Sequence, residues 1–285
     1  MCSGDVDVPN GKVLYTHMLN SKGGIECDIT INRLDEAKFL IISSATTHSR
    51  DKNWIERNLV GYNATLTDVT SGYTVLSLQG PKSREILEKV SSADFSNSLF
   101  PFSTSQEIEL GYAKVIANRL TYVGELGWEL HIPTEFSQHV FDTIWEAGLS
   151  LGINAAGYHA LEHLRCERGY REYELDLTPE DTPYEAGLGF TVAIDKKIPF
   201  NGKEALLRQK EAKPLKKRLV MFKLKDSQPV LFHEEPIRMN DKIVGYISSG
   251  AYSFNMNRSV GMGYVKHPDG VTKDLINNEK WSIEI

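Results

Sequence analysis

The run T-H-M-L-N-S-K-G-G-I-E-C-D-I-T, from Thr16 to Thr30, decides how the chain reads. Two adjacent glycines, Gly23 and Gly24, let the backbone turn tightly or pass close to another group. From Ile25 to Leu34 apolar and polar residues alternate, the period of a half-buried strand. Asp28 sits where the apolar stretch Ile29 to Ile31 begins. A carboxylate placed there, beside a glycine turn, can stay ionised and face a cavity. It can equally bond local backbone N–H groups, as turn aspartates do.

Working outward, Lys38 to Ile42 is a second strand and Ser49 to Leu59 a helix with Trp54 and Ile55 inward. Tyr73 to Leu78 alternates until Gly80-Pro81 stops it, and Lys82 to Val90 resumes with helical spacing through Ile86, Leu87 and Val90. Tyr112 to Val123 alternates up to a turn at Gly124. Thr134 can cap a helix in which Phe136, Val140, Phe141, Ile144, Trp145 and Leu149 share one face, ended by Gly152. Gly157 to Arg168, with Leu161 and Leu164 inward, and Gly202 to Lys210 are further helices. No strict strand–helix–strand rhythm runs through them, so the fold class is α+β. The Lys- and Pro-rich stretch from Ala212 to Arg218 reads as a linker, dividing a 1–211 domain from a 212–285 domain. Beyond it, Leu219 to Leu224, Glu235 to Met239, Lys242 to Ser248 and Val260 to Val265 are short strands, the pattern of a small β-barrel or sandwich, with Asn240-Asp241 as a hairpin turn.

Composition narrows the function. The chain is 41% hydrophobic and 25% charged, enough apolar material for a core without staples. Its three cysteines, Cys2, Cys27 and Cys166, have no C-x-x-C spacing, which argues for a reducing compartment and against a disulfide framework or zinc site. A net charge of −6 offers no general attraction to nucleic acid or an anionic membrane. No apolar run reaches the roughly 20 residues that span a bilayer, and Met1 to Asn10 carries no signal or transit pattern. There is no Walker loop, no G-x-G-x-x-G, no H-E-x-x-H and no nucleophile elbow, so oxidation by a bound dinucleotide is not expected here. His159 and His163, four apart on a helix, read as an ordinary pair rather than metal ligands.

Three further stretches carry polar groups in suggestive company. In Y-V-G-E-L-G-W-E, Tyr122 to Glu129, the carboxylate of Glu125 lies between Gly124 and Gly127, beside the flat surfaces of Tyr122 and Trp128. That mix suits a flat heteroaromatic ligand, or a hairpin with cross-strand aromatic packing. In L-E-H-L-R-C-E-R-G, Glu162 and Glu167 lie on different helix faces, with Glu167 nearer the apolar stripe. It either points inward to meet a ligand's N–H edge or pairs outside with Arg168 or Arg171. The loop from Asp176 to Asp195 enters a strand at Phe190, after which Lys196 and Lys197 either meet an anionic ligand tail or stand in solvent.

The order and spacing of these stretches resemble one family. The M-L-N-S-K-G-G run, L-Q-G-P at Leu78 to Pro81, the Tyr122 to Glu129 block, L-R-C-E at Leu164 to Glu167 and T-P-Y-E-A-G-L-G at Thr182 to Gly189 are similar to motifs of the aminomethyltransferase, or glycine-cleavage T-protein, family. F-P-F-S-T at Phe100 to Thr104, V-G-E-L-G-W-E-L-H-I-P at Val123 to Pro133 and E-R-G-Y-R at Glu167 to Arg171 resemble its dehydrogenase branch, the folate-binding portion of sarcosine and dimethylglycine dehydrogenases; a phosphatase regulatory subunit shares the domain. The resemblance implies a multi-lobed α+β fold with a C-terminal β-barrel domain. It implies tetrahydrofolate as cofactor, with FAD only on a separate N-terminal domain. Sarcosine oxidation on such a flavin domain or chain would deliver an iminium, captured here as 5,10-methylenetetrahydrofolate. Neither nucleic acid nor membrane is implied as a partner, and the implied location is the mitochondrial matrix.

Residue by residue, the resemblance makes Asp28 the catalytic carboxylate and Glu167 the carboxylate that holds the pterin ring. It puts Tyr122 and Glu125 beside the folate. Lys196 falls where the family has an arginine, Ser44 where it has an asparagine, and Cys27 replaces the first of two aspartates. Those departures bear on transfer from a lipoyl-bound aminomethyl group more than on folate binding. The ends also depart from the family pattern, which implies a fragment or a truncated paralogue. The competing expectations are a lipoyl-dependent aminomethyltransferase, a non-catalytic folate-binding regulatory module and a non-functional fragment with exposed apolar patches.

Overall fold

The strand expected from Ile25 onward is the centre of a three-stranded antiparallel sheet. A computed structural model describes residues 1–212 and 214–285; Lys213, which falls in the expected linker, lies outside them. In that sheet β1 (Val13–Leu19) and β3 (Lys38–Ser43) flank β2 (Ile25–Asp35). The period of two sorts the side chains of β2 cleanly. Ile29 and Ile31 join Cys27, Met18 of β1 and Ile55 of α1 (His48–Leu59) in one apolar cluster. Glu26, Asp28, Thr30 and Asn32 therefore take the other face. Alternation does not reveal β1, because five of its seven residues are buried and both faces are covered.

The glycines between β1 and β2 are both required. Asn20 Oδ1 accepts the N–H groups of Lys22 (2.9 Å) and Gly24 (3.0 Å), and Gly23 sits at φ +85°. A Cβ on Gly24 would come 1.8 Å from the Pro179 carbonyl oxygen, so the turn packs backbone against backbone.

The second lobe is a four-stranded sheet, order β4-β7-β6-β5, with two helices on its apolar face. In chain order it contains β4 (Tyr73–Gln79), α2 (Ser83–Val90), β5 (Ser105–Leu110), β6 (Ala113–Asn118), β7 (Gly127–Pro133) and α3 (Ser137–Leu149). Trp128 is fully buried there, with Phe95 and Phe100 edge-on at 5.4 and 5.9 Å. Several expectations are corrected in this lobe. β6 stops at Asn118 instead of running to Val123, because Leu120 N–H bonds back to the Asn118 carbonyl and the Thr121 hydroxyl oxygen accepts the N–H groups of Val123 and Glu125. Trp128 lies in β7 with its ring in the core, so of the two surfaces expected to meet a ligand it offers none. Thr134 does not cap α3; its hydroxyl donates to the Ser71 carbonyl, and a 3-10 turn precedes the helix. On α3 the expected single face splits, with Val140 and Ile144 buried against α2 and Phe141 and Leu149 left 43% and 60% exposed.

Next come α4 (Tyr158–Glu167) and α5 (Lys203–Glu211). Against expectation, α4 buries Arg165 and Cys166, while Leu161 and Leu164 are half-buried, because the helix turns Cys166 onto Ala251, Val260 and Met262 of the C-terminal sheet. Phe190 begins no strand; it is 80% exposed in a 3-10 turn. The C-terminal lobe contains β8 (Lys217–Lys223), β9 (Pro236–Met239), β10 (Lys242–Ser253), β11 (Arg258–Lys266), α6 (Lys273–Asn278) and β12 (Trp281–Ile283). Its five strands run β12-β9-β10-β11-β8 with no bond between the outer two, so the expected barrel is an open sheet here. Asn240 and Asp241 both have positive φ and join β9 to β10, the two-residue hairpin expected from the sequence. No helix among the described residues is long and apolar enough to cross a membrane.

Replacing Gly24 by alanine is expected to cost about 1–3 kcal/mol in urea unfolding, the range for forcing a methyl into packed backbone. Gly72→Ala, which meets nothing within 4 Å, is the control and is expected to stay within about 0.5 kcal/mol of the parent.

Candidate functional site

The register of β1 on β2 sets His17 directly opposite Asp28. Tyr15, two residues earlier, shares their face. His17 is fully buried, with Nε2 3.1 Å from Asp28 Oδ1 and 3.4 Å from the Tyr15 hydroxyl, and Nδ1 3.0 Å from Thr191 Oγ1. Asp28 Oδ1 is buried and accepts no well-aligned hydrogen bond, while the side chain as a whole keeps 17% of its surface exposed. Burial, then the charge of Asp28, push the Tyr15 hydroxyl well above its ordinary pKa; Arg171 and Tyr122 act on the same hydroxyl from further out. Tyr15, His17, Asp28, Tyr122 and Arg171 thus form one electrostatic cluster.

Tyr122 stands at the end of that cluster. Its hydroxyl donates to the Arg171 carbonyl at 3.0 Å, its ring stacks on Tyr170 (centroids 6.1 Å apart, planes at 15°), and burial raises its pKa. The segment it leans on is held by arginines. Arg171 donates to the carbonyls of Gly169 and Ala186. Arg165, 1% exposed, donates to Glu162 Oε2 (2.7 and 2.9 Å), Asp176 Oδ2 (2.8 Å), Glu172 Oε2 (3.0 Å), Ser249 Oγ (3.0 Å) and the Tyr170 carbonyl (3.2 Å). Asp176 also accepts from the hydroxyls of Ser248 and Ser249. One guanidinium therefore joins α4, the loop through residues 170–176 and β10. Burial, and the like charge of Glu162, raise the pKa of Glu172.

The other expected site residues have partners of their own. Glu167, at the end of α4, accepts from Ser253 Oγ and Asn255 Nδ2, both at 2.6 Å. Burial opposes its ionisation, but those bonds outweigh it and hold its pKa below the ordinary value. Glu125 is exposed, its backbone N–H on Thr121 Oγ1. Lys196 donates to the carbonyls of Cys2 (2.5 Å) and Gly4 (2.7 Å), and burial lowers its pKa. Ser44 is exposed and caps the turn before α1 by accepting the Thr46 N–H. Sequence reasoning missed Tyr15, His17, Thr191, Arg165 and Arg171. The spacing of Tyr15 and His17 is the signal that was available for two of them. Thr191 reaches His17 from 174 residues away, for which no local pattern exists.

The polar face of β2 also meets the second lobe. Asn32 Nδ2 donates to Asn118 Oδ1 at 2.7 Å, and Asn118 bonds His131 Nε2 at 2.9 Å. Burial without a compensating charge lowers the His131 pKa to about 4. Nearer the turn, Glu26 is paired with Arg50 at 2.5 Å and borders a cavity of about 550 Å³ shared with Trp54, Phe200 and Lys203.

Comparison with known proteins agrees with this architecture. The GCVT N-terminal domain matches residues 1–196, and the glycine cleavage T-protein C-terminal barrel domain matches residues 217–285. Mitochondrial sarcosine dehydrogenase of Mus musculus is 37% identical over 99% of this chain and 32% of its own length. An aminomethyltransferase of Halothermothrix orenii is 38% identical over 90% of this chain and 70% of its own. The crystal structure of the glycine cleavage system aminomethyltransferase T from Bartonella henselae superposes with a TM-score of 0.82 at 25% identity, covering 93% of this chain and 71% of that one. The chain belongs to the glycine-cleavage T-protein family, and it spans about a third of the length of the dehydrogenase.

Two measurements test the geometry. Arg165→Met leaves three carboxylates facing one another and is expected to cost about 3–5 kcal/mol in chemical denaturation. For His131 the folded pKa is about 4 against an ordinary 6.5, so between those values the unfolded chain binds the extra proton. Its contribution is full above pH 6.5 and is lost as pH falls to 4, on the order of 3 kcal/mol in all. His131→Gln is expected to flatten the stability–pH curve in that window relative to the parent.

Proposed function

We propose that this T-protein family member binds tetrahydrofolate beside Asp28 and transfers to it the methylene carbon of an iminium derived from an N-methyl amino acid such as sarcosine. The observation that carries the reading is the Asp28 carboxylate, which has one buried oxygen with no aligned partner and stands beside His17 and Tyr15. A flat heteroaromatic ring beside tyrosine faces, with an amine brought to a carboxylate, suits that arrangement. Reduced folate supplies two neighbouring amines that take up the carbon.

The chain's own residues do the rest. Asp28 offsets positive charge developing at the carbon and holds a proton given up by an attacking amine until the departing amine takes it. Tyr15, kept neutral by burial, stands beside it, and Tyr122, neutral for the same reason, acts on Tyr15 in turn. Glu167, held ionised by Ser253 and Asn255, offers a carboxylate to an N–H and NH₂ edge. Lys196 uses two donors on Cys2 and Gly4 and has a third for an anionic tail, with Ser44 and Glu125 as outer contacts. The oxidation that makes the iminium is assigned to a flavin-bearing domain or partner chain, in keeping with the share of the dehydrogenase spanned here. A mitochondrial setting follows the same relative.

One observation favours a second reading, transfer from a lipoyl-bound aminomethyl group. Cys27 points into the apolar cluster, opposite Asp28, so the cysteine leaves the cleft unchanged. Turnover with an aminomethyl-lipoyl carrier and no flavin enzyme would select that reading.

Calorimetric titration with tetrahydrofolate tests the proposal. The well-folded chain is expected to bind, and Glu167→Ala to weaken binding tenfold or more, about 1.4 kcal/mol. Asp28→Ala is expected to slow one-carbon transfer by roughly 10²-fold or more while binding changes far less. A folded wild-type chain that fails to bind would overturn the reading.

A further inference from the structure

Two arginines of the second lobe stand together without a counter-charge. Arg84 of α2 and Arg119, just past β6, both donate from Nη2 to one oxygen, Asn97 Oδ1, at 2.8 and 2.7 Å. Their other bonds also end on neutral oxygens. Arg84 Nε donates to the Phe95 carbonyl at 2.8 Å, and Arg119 Nη1 to the Phe100 carbonyl at 2.6 Å. Both guanidinium groups lie against the buried indole of Trp128, their Cζ atoms 5.9 and 5.6 Å from the ring centroid. Among the described residues neither makes an ion pair, whereas Arg33, Arg50, Arg165 and Arg238 each meet a carboxylate. Asp94, the acidic residue of the same loop, accepts the Ser96 N–H instead. Burial, then the like charge of Arg84, hold the Arg119 pKa below its ordinary value, and no acidic group offsets them.

We propose that Arg84 and Arg119 form a binding site for an oxyanion, the carboxylate or phosphate group of a small ligand, which displaces the Asn97 amide oxygen and bridges both guanidinium groups. The two carbonyls and the indole face fix the arginines side by side, and the ring favours their charge. Asn97 fills the bridging position with a neutral oxygen, where an ionised acceptor would make much stronger bonds. It is exposed, on the connection between α2 and β5, so the position is open to solvent. Arg84 Nη1 and Arg119 Nε have no partner among the described residues and add donors for the incoming group. The planar fork of arginine matches two oxygens of one anion and stays charged beside a like charge. The site is separate from Asp28. Asn118, the residue before Arg119, accepts from Asn32 of β2, while Arg119 turns to Trp128. The inference therefore stands or falls independently of folate binding.

Thermal unfolding of the chain in chloride buffer, with inorganic phosphate or glutarate added at constant ionic strength, tests the proposal. At about 10 mM anion, a site with a Kd of about 1 mM raises the midpoint by roughly 3 °C. Asn97→Asp supplies the anion from the protein itself. It is expected to unfold at a higher midpoint than the parent in chloride and to lose the response to added phosphate or glutarate. Arg84→Gln keeps a donor without the charge and is expected to lose the response as well. A response to phosphate alone supports a phosphoryl ligand, and a response to glutarate alone a carboxylate. No response to either anion would overturn the proposal and leave the arginines as ties for the loop. An equal response in Asn97→Asp would overturn it too, since a general effect of salt on the protein surface does not depend on residue 97.

Discussion

A single buried guanidinium holds the molecule's parts in register. Arg165 is sealed from solvent, so every one of its donors must find an acceptor inside the protein, and it finds them on three different segments. Removing such an ion from water is expensive, and only well-placed partners repay it. The consequence is geometric. The helix, the loop after it and the longest strand of the C-terminal sheet cannot shift independently without stranding a charge. The loop in turn carries the carbonyl that receives Tyr122 and the tyrosine, Tyr173, whose hydroxyl donates to Ile25 at the start of β2. The C-terminal lobe is thus coupled to Tyr122 and to the start of β2 through polar contacts.

The setting of Asp28 itself follows from strand register. A one-residue slip of β1 against β2 would turn His17 away from Asp28 and send Met18 out of the apolar cluster. The apolar side fixes the register, and the polar side inherits its geometry. Packing and chemistry are therefore specified by the same alternation, which is why a buried, imperfectly partnered carboxylate can persist there. Its cost is carried by the surrounding core rather than by local bonds.

What the sequence disclosed follows the range of the forces involved. β2 and the Asn240-Asp241 hairpin were readable because alternation and turn chemistry are local. The α+β class followed from the mixed order of strands and helices. The failures share another cause. Arg165 drew no reading on a helix whose leucines were expected to face inward, since nothing nearby signals that three acidic groups, and a serine from the C-terminal lobe, converge on it. Tyr112 to Val123 looked like one strand because its alternation continues past the point where Thr121 folds the backbone back on itself. Thr191 reached His17 only through tertiary folding. The ties of Lys196 to Cys2 and Gly4 depend on where the N-terminal segment comes to rest, which no local pattern discloses.

The most direct test of the account is a crystal structure of the chain grown with tetrahydrofolate. The account requires the reduced ring of the ligand to lie with an amine nitrogen against the exposed oxygen of Asp28, flanked by Tyr15 and Tyr122. A ligand seated away from β2, for instance in the cavity of about 840 Å³ bordered by Tyr184, Leu215 and Val271, with Asp28 untouched, would contradict it.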